Sequence, residues 1–241
     1  MQTIESFNYQ WSHLTDARHI LSDKNWTDNV DSYILDELQV ERDWMKGKTV
    51  IDVGCGGGRW TYGFTKLGCK VTASDISDGP CNYTRQHVPE AEVIQSDLFD
   101  LPEKVAGRTF DIVWCWGVIH HTRNPKTAFD MLIQLMRPDG GIIHLYVYSF
   151  DRGSRVKLLR KILSPFSFKT KERLIALMIK ARILHGDVHG CFDALSPRLN
   201  HEIQEANLKK WFDAHELAYK SHIPLWVRRS HDIFATGSKK N

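Results

Sequence analysis

Val50-Ile51-Asp52-Val53-Gly54-Cys55-Gly56-Gly57-Gly58-Arg59 decides how the chain is read. Val50, Ile51 and Val53 make a short apolar, β-branched run of the kind that fills a buried strand. Glycines crowd the next positions, and a helix-compatible stretch follows from about Gly58 to Leu67, ending at Gly68. Glycine at such a turn allows positive φ and lets the backbone approach a ligand closely. The free N–H groups at the start of the next helix favour an anionic group. A dinucleotide site wants Gly-x-Gly-x-x-Gly after its strand. Counted from Gly54, the sixth position here is Arg59, so that pattern fails as written.

Outward from the turn, short apolar runs recur at Thr49–Val53, Lys70–Ser74, Glu92–Gln95, Phe110–Cys115 and Gly141–Tyr148. Helix-compatible segments separate them, one covering about Lys126–Met136 and stopping before Pro138. Strands alternating with helices at this spacing predict an α/β fold with a mostly parallel sheet. After Phe150 the alternation stops. Val156–Leu163 and Glu172–Leu184 read as amphipathic helices, Gly186–Asn200 as a loop, Glu202–Glu216 as a helix, and Tyr219–Ile223 and Asp232–Thr236 as strands. The organisation expected is an N-terminal cap (1–45), a core (46–150), a helical lid inserted after the fifth strand (151–200), and a helix and strand hairpin completing the core (201–241).

Composition excludes more than it selects. With 241 residues, 42% hydrophobic and 25% charged, the chain can bury one sizeable core. A net charge of +3 is too mild to imply nucleic acid. The five cysteines are widely spaced with no Cys-x-x-Cys, which argues against a disulfide framework or a zinc ribbon. No basic, apolar leader opens the sequence and no apolar run reaches spanning length, so a cytoplasmic protein is expected.

Three further stretches narrow the ligand. Val71-Thr72-Ala73-Ser74-Asp75-Ile76 puts Asp75 at the end of the second strand, where a carboxylate can accept from both hydroxyls of a ribose. That residue alone does not separate S-adenosylmethionine (SAM) from NAD. Val93-Ile94-Gln95-Ser96-Asp97-Leu98 puts Asp97 at the end of the third strand. Phe110-Asp111-Ile112-Val113-Trp114-Cys115-Trp116-Gly117-Val118-Ile119-His120-His121-Thr122 follows. Together with Asp-x-Gly-x-Gly-x-Gly at Asp52–Gly58, these stretches resemble class I SAM-dependent methyltransferases, in particular the group that includes the ubiquinone/menaquinone-biosynthesis enzymes. The resemblance covers residues 48–148 firmly and 196–237 more loosely. It implies a Rossmann-like seven-stranded sheet of order 3-2-1-4-5-7-6 with helices on both faces. It also implies SAM contacts at Asp52, Gly54, Cys55, Gly56, Arg59, Asp75, Ile76, Asp97, Leu98, Cys115 and Trp116, with Asp97 accepting from the adenine amino group. Phe7-Asn8-Tyr9-Gln10-Trp11 resembles an N-terminal cap of some relatives, which places Tyr9 and Trp11 over SAM and Arg18 on its carboxylate.

Methyl transfer needs alignment of a nucleophile and, for some acceptors, removal of a proton. His120 and His121, just after the fourth strand, are the candidate bases, since an imidazole suits proton transfer near neutrality. Trp116, His121, Tyr146, Tyr148 and Asp193 are the candidate acceptor-facing residues. Trp114 and His144 read as core packing. His185, His189, Cys191 and Asp193 invite a metal reading, but the set is loose for zinc and no metal is expected. Residues 151–185 hold ten Lys or Arg against two acids, a basic amphipathic lid suited to an anionic surface or a carrier protein. The expected reaction is methylation of a small-molecule acceptor at O, N or C. The rivals are a methyltransferase-like subunit without turnover and an NAD-dependent oxidoreductase, which Arg59 argues against.

Overall fold

Val50, Ile51 and Val53 are all buried in the central strand, and their alternation sorts them to two faces of one sheet. The computed structural model describes residues 2–14, 21, 23–149, 154–227 and 232–240. Arg18, Asp151 and Arg152 lie outside the described residues. In chain order the elements are α1 (Gln2–His13), α2 (Lys24–Leu38), α3 (Arg42–Met45), β1 (Thr49–Val53), α4 (Arg59–Lys66), β2 (Lys70–Asp75), α5 (Asp78–His87), β3 (Glu92–Gln95), α6 (Leu101–Lys104), β4 (Ile112–Trp116), α7 (Pro125–Leu135), β5 (Ile142–Val147), α8 (Ser154–Leu163), α9 (Phe168–Lys180), α10 (Val188–Leu195), α11 (Glu205–Ala214), β6 (Leu217–Ser221) and β7 (Ile233–Lys239).

The seven strands run β3-β2-β1-β4-β5-β7-β6, the order expected. The pairs from β3 to β5 are parallel, and β7 lies antiparallel between β5 and β6. On one face Ile51, Val53, Val113 and Cys115 pack with Phe129 and Leu132 of α7 and Leu208 and Phe212 of α11. On the other, Val50, Ile112 and Trp114 meet Val30 and Ile34 of α2 and Trp60 and Phe64 of α4. Trp114 is fully buried against Phe64 and Trp60, as its strand position predicted. A third cluster, Leu14, Leu163, Ile175, Phe192 and Leu195, joins the end of α1 to the lid helices.

Residues 186–200 are not the loop expected. They contain α10, and the helix starts where Asp187 caps it, its side chain accepting from the Gly190 N–H at 2.7 Å. Gly186, with φ +111°, sits before the cap rather than inside the helix. Similarly α9 begins at Phe168, because Ser167 accepts from Thr170 N–H and starts the helix ahead of Glu172.

At the base of the sheet Asp111 ties β4 to β1. It accepts from the Thr49 N–H at 2.8 Å and the Thr49 hydroxyl at 2.9 Å, and pairs with Arg137. Burial pushes its carboxyl up, but the Thr49 bonds and Arg137 outweigh burial, and the pKa falls below its ordinary 3.8. A folded pKa below the unfolded one means stabilisation that is complete above the unfolded value and lost as pH falls through the folded one. Asp111→Asn is expected to cost about 1–3 kcal/mol at neutral pH. The deficit should shrink in acid, which denaturant melts near pH 7 and about pH 3 will check.

Candidate active site

The glycine turn is compressed from both sides. Gly54 has φ +76° and Gly56 φ +53°. A Cβ at Gly54 would lie 2.2 Å from Val118 Cγ2, and one at Gly56 2.3 Å from Trp11 Cζ2. The loop after β4 and the helix α1 therefore close directly onto the turn. Beyond it opens a cavity of about 700 Å³, large enough for a nucleoside-sized ligand with room to spare.

Asp75 sits at the cavity wall, its Oδ2 accepting from Gly56 N–H at 3.1 Å and its Oδ1 from Ser77 N–H at 2.9 Å. Two backbone bonds leave lone pairs for a ligand, because an ionised carboxylate offers about four. Burial pushes its carboxyl up, opposed by the N–H groups of Ser77, Gly56 and Ile76. Ile76, Asp97 and Leu98 continue the same wall, and Asp97 holds its own loop by accepting from Phe99 N–H at 3.0 Å. Gly54, Cys55, Gly56, Arg59 and Trp116 also line the cavity. Trp116 stacks on Tyr146 at 4.0 Å.

Two of the expected contacts lie behind this wall. Asp52 is buried and accepts from the Thr61 hydroxyl at 2.7 Å. Burial raises its carboxyl to about 7, against the Thr61 bonds and Arg59. It ties β1 to α4 and so fixes the turn. Cys115 is fully buried on the β4 face that meets α7.

The two histidines separate. Both lie on a single 3-10 turn, Ile119–His121. His120 is fully buried under the Tyr148 ring at 3.9 Å, away from the cavity, where its Nδ1 accepts from Tyr148 N–H at 3.4 Å. His121 faces the cavity. Its Nδ1 is 3.0 Å from Leu199 O, and its Nε2 is 3.4 Å from Asp193 Oδ2. A carbonyl oxygen only accepts, so Nδ1 carries the hydrogen. Asp193 also accepts from the Tyr148 hydroxyl. Burial raises its carboxyl, but His121, Tyr148 and His189 outweigh burial and bring it below the usual carboxylate value. Tyr146, Tyr148 and Asp193 all line the cavity.

The N-terminal residues divide as well. Trp11 reaches the cavity, but Tyr9 turns to the lid, donating to Glu172 Oε2 at 2.6 Å. Sequence reading missed Thr3, Phe7 and Gln10 of α1. Thr3 Oγ1 accepts from Leu199 N–H at 2.9 Å, Phe7 meets His121 edge-on at 5.1 Å, and Gln10 Nε2 is 2.9 Å from His189 Nε2. No local signal marks them, since their partners lie more than 100 residues away. Among the described residues no group of His, Cys, Asp and Glu is arranged to hold a metal ion.

The methyltransferase-domain family profile matches residues 51–144, which carry the turn, Asp75, Asp97 and His121. Over that stretch the chain is similar to methyltransferases. Among curated relatives, it is 31% identical over 111 residues to the mitochondrial ubiquinone biosynthesis O-methyltransferase of Schizosaccharomyces pombe, covering 44% of this chain and 40% of that one. It is 25% identical over 203 residues to the ubiquinone biosynthesis O-methyltransferase of Proteus mirabilis, covering 83% and 73%. The chain spans about half the length of most of the curated relatives it matches. Solved structures share the fold of this chain. The magnesium protoporphyrin IX methyltransferase of Synechocystis PCC 6803 with bound S-adenosylhomocysteine (SAH) aligns with TM-score 0.56 at 17% identity, covering 92% of this chain and 84% of that one. The DhpI–SAH complex aligns with TM-score 0.59 at 16% identity, covering 99% and 97%.

Proposed function

We propose that the chain is a SAM-dependent methyltransferase that acts on a small-molecule acceptor held between Trp116 and the lid, with His121 removing the acceptor's proton. The observation that carries this is the alignment of His121, Asp193 and Tyr148 on the cavity wall past the glycine turn. When bound, SAM supplies an electrophilic methyl on a sulfonium and leaves as SAH. Asp75 would hold the ribose hydroxyls, Asp97 and Leu98 the adenine end, and the Gly54-Cys55-Gly56 turn the methionyl portion. Trp116, on the same cavity wall, would border the methyl.

With the Nδ1 hydrogen donated to Leu199 O, Nε2 points at Asp193 Oδ2, so a hydroxyl or amine entering between the two could pass its proton to a neutral Nε2 while Asp193 stays close. The positive charge gained on proton uptake is balanced by Asp193 at 3.4 Å. Tyr148 holds that carboxylate in place. The O-methyltransferase names of the curated relatives favour an oxygen nucleophile. The lid's exposed residues Arg155, Lys161, Lys169 and Arg173 favour the approach of an anionic acceptor, or of a carrier protein or anionic surface presenting it. Among the described residues no helix is long and apolar enough to cross a membrane.

The test is incubation with methyl-tritiated SAM and the small-molecule fraction of a cell extract. Label is expected to move into a small molecule as SAH accumulates. Tight SAM binding with label retained on SAM throughout would favour a binding subunit instead.

A further inference from the structure

Glu37 places a buried carboxylate near the C-terminal end of α2, where the helix dipole opposes it. Its Oε2 is 2.8 Å from His144 Nε2, and His144 Nδ1 is 3.0 Å from the Thr236 hydroxyl. Its Oε1 has no hydrogen-bond partner among the described residues. Burial pushes the carboxyl up, against His144, the field of Arg59 and the indole N–H of Trp116. Trp26, Trp60, Trp114, Trp116 and Trp226 all keep buried indole N–H groups without a partner among the described residues. Of these, that of Trp116 is the one that lowers the Glu37 carboxyl.

A buried acceptor left without a donor is costly, and so is a buried donor left without an acceptor. Glu37 Oε1 and Trp116 Nε1 are such a pair, and one bond between them would satisfy both. The sheet decides which partner moves. Its register sets Trp114 opposite His144 and Trp116 opposite Tyr146. The first pair is fully buried and stacked at 4.2 Å, so His144 pins Glu37 from within the core. The second pair is stacked at 4.0 Å and lines the cavity, so the Trp116 ring has open space beside it. We propose that Glu37, held by His144, is a positioning residue that accepts the indole N–H of Trp116 once a ligand seats against that ring. The bond would fix the ring where cofactor and acceptor meet, and in this it rests on the cofactor reading above.

The test is the proton–nitrogen spectrum of the full chain carrying isotope-labelled tryptophan, with the Trp116 indole signal assigned by its loss in Trp116→Phe. Saturation with SAH is expected to move that signal downfield and to slow its exchange with water about tenfold. Glu37→Gln keeps the shape and an acceptor but not the charge, so the downfield move should be smaller. Glu37→Leu should show no move, and if it does not fold the comparison with Glu37→Gln decides. A Trp116 signal that stays in place when SAH binds the wild type, or that moves as far in Glu37→Gln, overturns the inference and leaves the cofactor reading standing. A wild-type protein that shows no SAH binding by calorimetry sinks the cofactor reading, and this inference falls with it.

Discussion

Asp75→Ala is expected to weaken SAM binding by about 100-fold, read as the calorimetric Kd. The carboxylate stands at the end of β2 facing the cavity, with one oxygen on Gly56 N–H and the other on Ser77 N–H. Two hydroxyls of a ribose donating to it would each contribute about 1.5–3 kcal/mol, and losing about 3 kcal/mol in sum is roughly 100-fold. The substitution also frees the Gly56 amide, so part of the loss would come from a turn that no longer keeps its shape. Asp75→Asn separates these effects, because it retains an acceptor for one amide and forfeits the charge. A thermal melt without ligand should move little for Asn and more for Ala. Unchanged affinity in both variants would place the adenosyl group somewhere other than against β2.

His121→Ala is expected to reduce the rate of label transfer by about 10²–10⁴-fold while SAM affinity stays put, the range typical of a lost general base. Asp193→Asn should fall in the same direction, since the imidazolium formed during turnover would lack its counter-charge 3.4 Å away. Tyr148→Phe removes only the bond that holds Asp193, and a loss of about tenfold is expected. His120 provides the contrast. Buried beneath Tyr148, it should act on stability, so that His120→Asn lowers the melting temperature without selectively lowering the rate per folded molecule. A His121 variant that turns over normally, with His120 variants inactive but folded, would reverse the assignment.

Much of this site could be read from residue order because its parts are local. A strand that ends in Gly54-Cys55-Gly56 and two strands that end in Asp75 and Asp97 specify a cofactor wall without knowledge of anything distant. The alternation specified a mostly parallel sheet, while its strand order came with the resemblance to the methyltransferases. What stayed hidden depends on long-range contact. Adjacent histidines look equivalent in a sequence, and only the 3-10 turn that carries them sends one under Tyr148 and the other to the cavity. Tyr9 and Trp11, two residues apart on α1, point to different neighbours, because helical neighbours at that spacing diverge by about 200°. The tryptophans around Arg59, namely Trp26, Trp60 and Trp116, come from three separate stretches. The helix at Val188–Leu195 did have a local signal in Asp187, which outweighs the glycines on either side of it.

The placing of β7 bears on how the fold comes to be assembled. Residues 233–239 are inserted between β5 and β6, and Asp232 accepts from the hydroxyl of Tyr146 at 2.8 Å. During synthesis the amino-terminal part of the chain emerges first, so β1 to β5 can pair while one side of β5 still lacks its neighbour. That side is a row of open amide and carbonyl groups, the kind of edge on which chains aggregate. It belongs to the strand that carries Tyr146 and leads into Tyr148. The cofactor half of the pocket can therefore form on the nascent chain, whereas the acceptor half waits for the last strand to arrive.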